Sequence, residues 1–394
     1  MMKKISFSIF LLFTLQTCNL FSQCVTSIDS DYNAWISVDI DDRWLVTGGE
    51  DFIEITDLYS PQYNSLVITP SDASGINFGM NEAVSVSGNR IIVGARGDNS
   101  KGKDSGAAYL YEFDGQFWNE TKFLASDGEA NDMYGFSVGI SGEKFIIGAI
   151  QEGEQFSGAA YLYEWDGAKW QETKVKASQP SAGDFFGSSV AISGNKFVVG
   201  ARGYIGSART GGAFFYKISG SQLIEQFVVG GGITRGDFGY SVSIDGNFAV
   251  IGSTTELQNE DNKGAARVYQ YSGTRWFEVK KLVAPPEYIY GGIGNYVDNS
   301  GGNIIACAGS GQPVIFKMKN NWSPEVMSMR AHAVAYDDNT AAITGLLGTG
   351  HPYLIKDMVL DTFIYVDGKL EKYRAGTDLH IYSGNNIIVT IDCP

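Results

Sequence analysis

Three features of the sequence predict an all-β fold, a seven-bladed β-propeller of four-stranded antiparallel blades. A turn glycine recurs at a near-constant step, each repeat carries two hairpins, and no helical period follows the first residues. Gly142, Gly194 and Gly246 are 52 residues apart, and Gly88 precedes Gly142 by 54. The repeats around them read FGMNEAVSVSGNRIIVGA from Phe78, YGFSVGISGEKFIIGA from Tyr134, FGSSVAISGNKFVVGA from Phe186 and FGYSVSIDGNFAVIGS from Phe238.

Each first hairpin alternates apolar and polar residues, turns at Ser-Gly-Asn or a close variant, and runs on through an apolar stretch such as Arg90 to Ala95. Gly and Asn tolerate positive φ, and β-branched flanks favour strands. A second hairpin follows from Gly106, Gly158 and Gly264, turning at Asp114-Gly115, Asp166-Gly167 and Ser272-Gly273. Two hairpins give four strands per repeat, and such a unit buries its faces only by stacking on neighbours.

Degenerate copies extend the array. Ala34 to Leu58 repeats the theme with Asp41-Asp42 at its turn, and Gly294 to Met329 and Ala331 to Lys356 continue it with shorter second halves. Seven units result, centred on Asp42, Gly88, Gly142, Gly194, Gly246, Gly302 and Asp338. Closing them into a ring protects strand edges. The propeller is placed at residues 24–360, and residues 361–394 form a C-terminal β segment that closes the ring, starts an eighth blade or stands beside it.

Residues 1–22 have the layout of a secretory signal peptide: Lys3 and Lys4, then an apolar run from Ile5 to Leu15 that is too short to span a bilayer. A lipidation box ending at Cys18 is the competing reading, which Gln16 and Thr17 fit poorly. The product is expected outside the cytoplasm, secreted or at the cell surface, without a membrane span and as a monomer. Loss of the leader's two lysines takes the net charge from −15 to −17, which disfavours nucleic acid and anionic membrane as partners. Of the cysteines left, Cys24 and Cys393 lie at opposite ends of the mature chain and Cys307 lies in a strand-like run. The expectation is a Cys24 to Cys393 disulfide with Cys307 reduced and buried.

The phrases from Phe186-Gly187 to Gly200-Ala201, with their three partners, resemble the FG-GAP repeats of the integrin α-subunit propeller and its secreted bacterial relatives. The resemblance is good from Phe78 to Ala284 and weak outside that range. It implies seven blades, extracellular placement and a role in binding or adhesion. Integrin-type repeats carry a calcium loop of the form Asp-x-Asp-x-Asp-Gly between the first two strands. Here that loop is only Ser87-Gly88-Asn89, Ser141-Gly142-Glu143, Ser193-Gly194-Asn195 or Asp245-Gly246-Asn247, so the calcium site does not carry over. Asp39, Asp41 and Asp42 of the first unit lack the glycine and closing acid. No metal or cofactor is expected.

The loops after the second strand vary most between repeats: Gly97 to Ser105, Gln151 to Ser157, Gly203 to Thr210 and Thr254 to Lys263. Variable loops on a rigid scaffold are where specificity collects, which makes Asp98, Asp104, Glu260 and Asp261 candidate ligand-binding rim residues, against the plainer reading of solvated charges. Asp132, Asp184 and Asp237 recur just before the aromatic-Gly step and read as structural acceptors of backbone N–H groups, while Trp118, Trp170 and Trp276 read as packing between blades. Arg96-Gly97-Asp98 spells the tripeptide integrins recognise in their ligands, but arises where a Gly-Ala-Arg strand end meets Gly-Asp.

No catalytic residue is assigned. The histidines, His332, His351 and His380, lie in the divergent final third, without a metalloprotease motif, nucleophile elbow or phosphate loop. The expected function is non-enzymatic binding of an extracellular protein or glycan. The alternative is a carbohydrate-active enzyme, glycosidase or lyase, on the same scaffold, because a carboxylate pair formed only on folding leaves no spacing to read. Acids with an Arg or Tyr in the central funnel would favour the enzyme, and small residues there would favour binding.

Overall fold

The computed structural model describes residues 24–27, 37–49, 51–60, 65–72, 75–80, 83–203, 211–229, 237–255, 257–258, 261–262, 264–285, 293–307, 313–326, 331–337, 340–345, 352–356, 364–366, 369–371, 379–383 and 386–391. The chain divides into two compact units, residues 29–352 and residues 1–28 with 353–394. The leader and Cys393 lie outside the described residues.

The larger unit holds six complete blades. Blade 1 is Ser37–Asp41, Trp44–Gly48, Ile53–Asp57 and Ser65–Ile68, and blade 3 is Tyr134–Ser141, Lys144–Ala149, Ala159–Trp165 and Trp170–Val175. Blade 4 is Phe186–Ser193, Lys196–Ala201, Gly212–Ser219 and Gln222–Val229; blade 5 is Phe238–Asp245, Phe248–Ser253, Ala265–Tyr271 and Trp276–Leu282; blade 6 is Tyr296–Ser300, Asn303–Cys307, Val314–Lys317 and Ser323–Val326. Every pairing is antiparallel, with the hairpin turns where the glycine pattern puts them. Blade 2 departs in one way. Ten residues separate Phe78 from Gly88, against eight between Tyr134 and Gly142, and the insertion splits the innermost strand into Gly75–Phe78 and Val84–Ser87, both paired with Arg90–Asp98.

The expected count of seven four-stranded blades is corrected to six. The seventh repeat contributes to this unit only the hairpin Ala331–Asp337 and Thr340–Gly345, which packs between blade 6 and blade 1 through their innermost strands. The next strand in sequence, Pro352–Lys356, falls almost wholly in the smaller unit. In the smaller unit Cys24–Ser27 pairs antiparallel with the strand Pro352–Lys356, Cys24 opposite Lys356, and two short hairpins follow, Ile364–Val366 with Lys369–Glu371 and Leu379–Ser383 with Asn386–Ile391.

The core is divided into layers between consecutive blades. Trp44, Val46, Ile53 and Ile55 of blade 1 pack on Phe78, Ile91, Val93, Tyr109 and Tyr111 of blade 2. Ile92 and Leu110, facing the other way along the same strands, pack on Val138, Phe145, Ile147 and Tyr161 of blade 3. The same arrangement joins blades 3 and 4, 4 and 5, and 5 and 6. Strands buried on both faces explain why Arg90 to Ala95 reads as a continuous apolar run rather than an alternation. The recurrent tryptophans belong to these layers: Trp118 meets Trp44 of blade 1 at 5.1 Å, Trp170 meets Phe145 at 4.7 Å, and Trp276 stacks on Phe215 of blade 4 at 4.8 Å. Cys307 is fully buried and unpaired, and burial pushes its thiol up.

Candidate functional site

The aromatic-Gly step and the Gly-Ala step of the next-lower repeat meet at each blade junction. A Cβ on Gly94, Gly148, Gly200 or Gly252 would lie 2.0, 2.0, 2.2 or 2.3 Å from the carbonyl oxygen of Gly135, Gly187, Gly239 or Gly294. Those second glycines have φ of 85°, 88°, 83° and 115°, the left-handed region that side chains avoid. The hydroxyls of Ser37, Ser137, Ser189 and Ser241 donate to the carbonyls of Gly79, Gly187, Gly239 and Gly294 at 2.5, 2.9, 3.0 and 3.1 Å. The repeated dipeptides are thus the bearing surface on which one blade rests against the next.

Further along the innermost strands a second series of ties runs round the axis. The side chain before each turn accepts the N–H of the next blade's turn glycine: Asp41 from Gly88, Ser87 from Gly142, Ser141 from Gly194, Ser193 from Gly246 and Asp245 from Gly301. Two residues earlier stand Asp39, Ser85, Gly139, Ala191, Ser243 and Asp298. Here Asp39 accepts from Val86 at 2.8 Å, Ser85 from Ile140 at 3.3 Å and Ser243 from Asn299 at 3.2 Å.

These strands enclose an axial channel of about 420 Å³, lined chiefly by Val, Ile, Ser, Ala and Gly, with Asp39, Asp41, Asp245, Asp298 and Tyr296. Burial first, and then the Asp298 charge, push the Asp39 carboxyl up to about 7. Both of its oxygens are engaged, Oδ1 by the N–H of Ile40 at 2.9 Å and Oδ2 by Val86. Asp298 accepts from the Ser243 hydroxyl at 2.6 Å and from its neighbour Asn299 at 2.9 Å. Asp39 therefore does in blade 1 what the Ser85 and Ser243 hydroxyls do in blades 2 and 5: it takes up the N–H of the following blade. Among the described residues no group of three or more His, Cys, Asp or Glu is placed to hold a metal ion, and no helix is long and apolar enough to cross a membrane.

Loops 97–105 and 151–157 lie at the opposite end from the turns and are tied into the scaffold. Loop 97–105 receives the N–H groups of Asn131, Met133 and Tyr134 on the carbonyls of Lys103, Asp104 and Ser105, and loop 151–157 receives Gly183, Phe185 and Phe186 on Gln155, Phe156 and Ser157 in the same way. Asp98 is not a rim ligand. It is 0% exposed, accepts from Lys122 Nζ at 2.8 Å and from the Ser100 N–H at 2.7 Å, and Lys122 also reaches Asp72 at 2.6 Å. The Arg96-Gly97-Asp98 tripeptide is therefore not displayed: its acid is buried and Arg96 lies over the Phe136 ring at 5.1 Å. Asp104 is half-buried with φ 51° and faces Lys103 at 3.8 Å. Asp261 lies in a short hairpin with Leu257–Gln258, its side chain outside the described residues, as is Glu260.

Asp132 and Asp184 accept the N–H groups of Glu129 and Ser181 at 2.7 and 2.6 Å, and burial raises both carboxyls. Asp237 sits one residue nearer its aromatic, at φ 42°, and accepts from the Thr254 hydroxyl at 3.1 Å instead. Repeated Tyr-to-Glu bonds, Tyr111 to Glu120, Tyr163 to Glu172 and Tyr216 to Glu225, fix each third strand to its fourth. The sequence carries a trace of them, a Tyr followed nine residues later by a Glu in each of these repeats, but one acid among 44 has no visible partner until the strands pair.

Four stretches match the FG-GAP repeat family: residues 66–111, 118–163, 170–216 and 230–269. The first three run from the fourth strand of one blade to the third of the next, so the family's unit spans the blade junction just described. No curated protein sequence matches the chain significantly.

Proposed function

Because the chain is an FG-GAP repeat β-propeller protein, its function rests on the sites carried by that scaffold, and we propose that it is a non-enzymatic binding protein. In this reading it is secreted or held at the cell surface, acts as a monomer, and takes an extracellular protein or glycan on the face where loops 97–105 and 151–157 gather. The observation that carries the proposal is the equivalence of Asp39 with Ser85 and Ser243. A catalytic carboxylate pair needs oxygens aimed at a substrate, one holding a proton and one bare. Here Oδ1 of Asp39 is taken by the Ile40 N–H of its own strand and Oδ2 by Val86 of blade 2. Although the channel carries further acids and Tyr296 among its small residues, each of those acids is also bonded across a blade junction, Asp41 to Gly88, Asp245 to Gly301 and Asp298 to Ser243.

The loops are suited to recognition because the scaffold holds them in place, lowering the ordering cost of binding. Phe156, 49% exposed, stacks on Phe185 at 6.4 Å on this face, where two neighbouring lead-in loops meet. The test is an array of native polysaccharides and secreted proteins probed with the mature chain. A ligand is expected whose binding falls in Phe156→Ala and stays in Asn89→Ala at the turn end; equal loss in both, or loss only in Asn89→Ala, would overturn the assignment of the face.

A further inference from the structure

The axial channel carries more negative charge than its architecture needs. Serine accepts an N–H of the following blade at Ser85, Ser87, Ser141, Ser193 and Ser243. In the same two columns blades 1, 5 and 6 place Asp39, Asp41, Asp245 and Asp298. A hydroxyl does that work without a charge, and Asp39, Asp41 and Asp245 take neutral backbone N–H groups that leave theirs in place. No Lys, Arg or His is among the described residues that line the channel. Burial and the Asp298 charge hold the Asp39 carboxyl up at about 7, as expected of like charges crowded out of water.

An orphaned carbonyl stands beside these acids. Asn299 follows Asp298 on the innermost strand of blade 6, is 4% exposed and lines the same channel. Its Nδ2 donates to Ser243 Oγ at 3.0 Å, and that hydroxyl donates to Asp298 at 2.6 Å. Turning the amide over would set its oxygen against a hydroxyl already spent on Asp298. The Asn299 Oδ1 is left buried with no hydrogen-bond partner. Such a group is costly, and the cost disappears when a ligand supplies the donor.

The chemistry that fits is a donor and a cation together. A calcium ion takes six to eight oxygens, and no group of three or more acids is gathered here among the described residues. A primary ammonium brings three N–H donors and asks only for acceptors, and a carboxylate oxygen that accepts one backbone N–H has a lone pair to spare. Asp41 lies two residues beyond Asp39, and Asp245 two beyond Ser243, which sets a second level of acceptors about 7 Å along the strands toward the turns. The turn glycines at that end, Gly88, Gly142, Gly194, Gly246 and Gly301, are exposed, and a channel of about 420 Å³ is the size of a small-molecule site.

We infer that Asp39, Asp41 and Asp245, with the Asn299 carbonyl and Asp298 beside them, bind a small linear primary amine, best an α,ω-diamine, that enters the channel from the turn end. The site is separate from the loop face and stands or falls independently of the binding reading above. The probes are 1,4-diaminobutane, n-butylamine, tetramethylammonium chloride and calcium chloride, each titrated into the protein at equal ionic strength and read by calorimetry and melting temperature. The diamine is expected to bind saturably, n-butylamine to bind no tighter, and the tetramethylammonium ion, which has no N–H, to be silent. Asp39→Asn and Asp245→Asn, which keep the shape of the side chain, are each expected to weaken diamine binding roughly 10- to 100-fold, the worth of one charge-assisted hydrogen bond. Glu143→Gln, at an exposed turn outside the channel wall, should change nothing. No saturable response to the diamine, an equal response to tetramethylammonium or calcium, unchanged affinity in either aspartate variant, or an equal loss in Glu143→Gln would overturn the inference.

Discussion

Replacing Gly148 by alanine tests the close approach of two blades at their junction. The new Cβ would lie 2.0 Å from the Gly187 carbonyl oxygen, 2.5 Å from Ser137 Oγ and 2.9 Å from the Gly187 carbonyl carbon. Ordinary contact begins near 3.4 Å, so blades 3 and 4 must part locally by about 1.4 Å, and the Ser137 to Gly187 hydrogen bond of 2.9 Å goes with them. Overpacking costs about 1–3 kcal/mol. The broken bond adds about 1 kcal/mol. The loss is therefore about 2–4 kcal/mol, which lowers the melting temperature of a domain this size by roughly 3–6 °C. Gly139→Ala is the matched control: its nearest neighbour, the Ala191 Cα, is 3.4 Å away, and alanine there is expected to be neutral or stabilising by up to about 1 kcal/mol. Urea unfolding followed by tryptophan fluorescence reads both. Equal midpoints for Gly148→Ala and wild type, or an equal fall in Gly139→Ala, would refute the account of why these glycines recur.

Three further outcomes follow from the same geometry. A carboxyl raised to about 7 stabilises the fold while it is protonated, so the Asp39 contribution is complete below about pH 4 and is lost as pH rises through 7. Asp39→Asn should hold its stability between pH 5 and 8 better than wild type, and parallel pH profiles would refute this; Asp57, Asp72 and Asp127, lowered by their Arg43, Lys122 and Lys174 partners, act in the other direction and only below about pH 4. Lys122→Met removes the ammonium that neutralises the fully buried Asp98 and is expected to cost about 3–5 kcal/mol in denaturant unfolding, whereas Arg43→Ala, at the more exposed Asp57 pair, costs under about 1 kcal/mol; similar losses would contradict the burial argument. Chelator-treated protein given millimolar calcium should melt where it did before, and a rise of several degrees would show a cation site that the shortened turns do not suggest.

Most of the blade architecture was legible because turn glycines and strand-forming runs act locally. Gly88, Gly142, Gly194 and Gly246 mark hairpin turns whatever surrounds them. What depends on a partner across a junction was not legible. Gly148 reads as an ordinary strand glycine until Gly187 is brought against it. Asp98 reads as a loop charge until Lys122, 24 positions on, closes over it. The blade count failed for the same reason: the seventh repeat keeps its first hairpin, Ala331–Asp337 with Thr340–Gly345, and the alternation there says nothing about whether two more strands follow in the same unit. The column Asp41, Ser87, Ser141, Ser193 and Asp245 was visible in the aligned repeats, and only the N–H groups of the next turns give it meaning.

The central claim is that the channel carboxylates hold blades together and do no chemistry. It is tested most directly by incubating the mature chain with a mixed library of native polysaccharides and secreted proteins, recovering what it retains, and weighing the retained material and the supernatant by mass spectrometry. The account predicts intact ligand retained in proportion to protein, unchanged in Asp298→Asn. Shortened or unsaturated products that accumulate with time and disappear in Asp39→Asn or Asp298→Asn would contradict it.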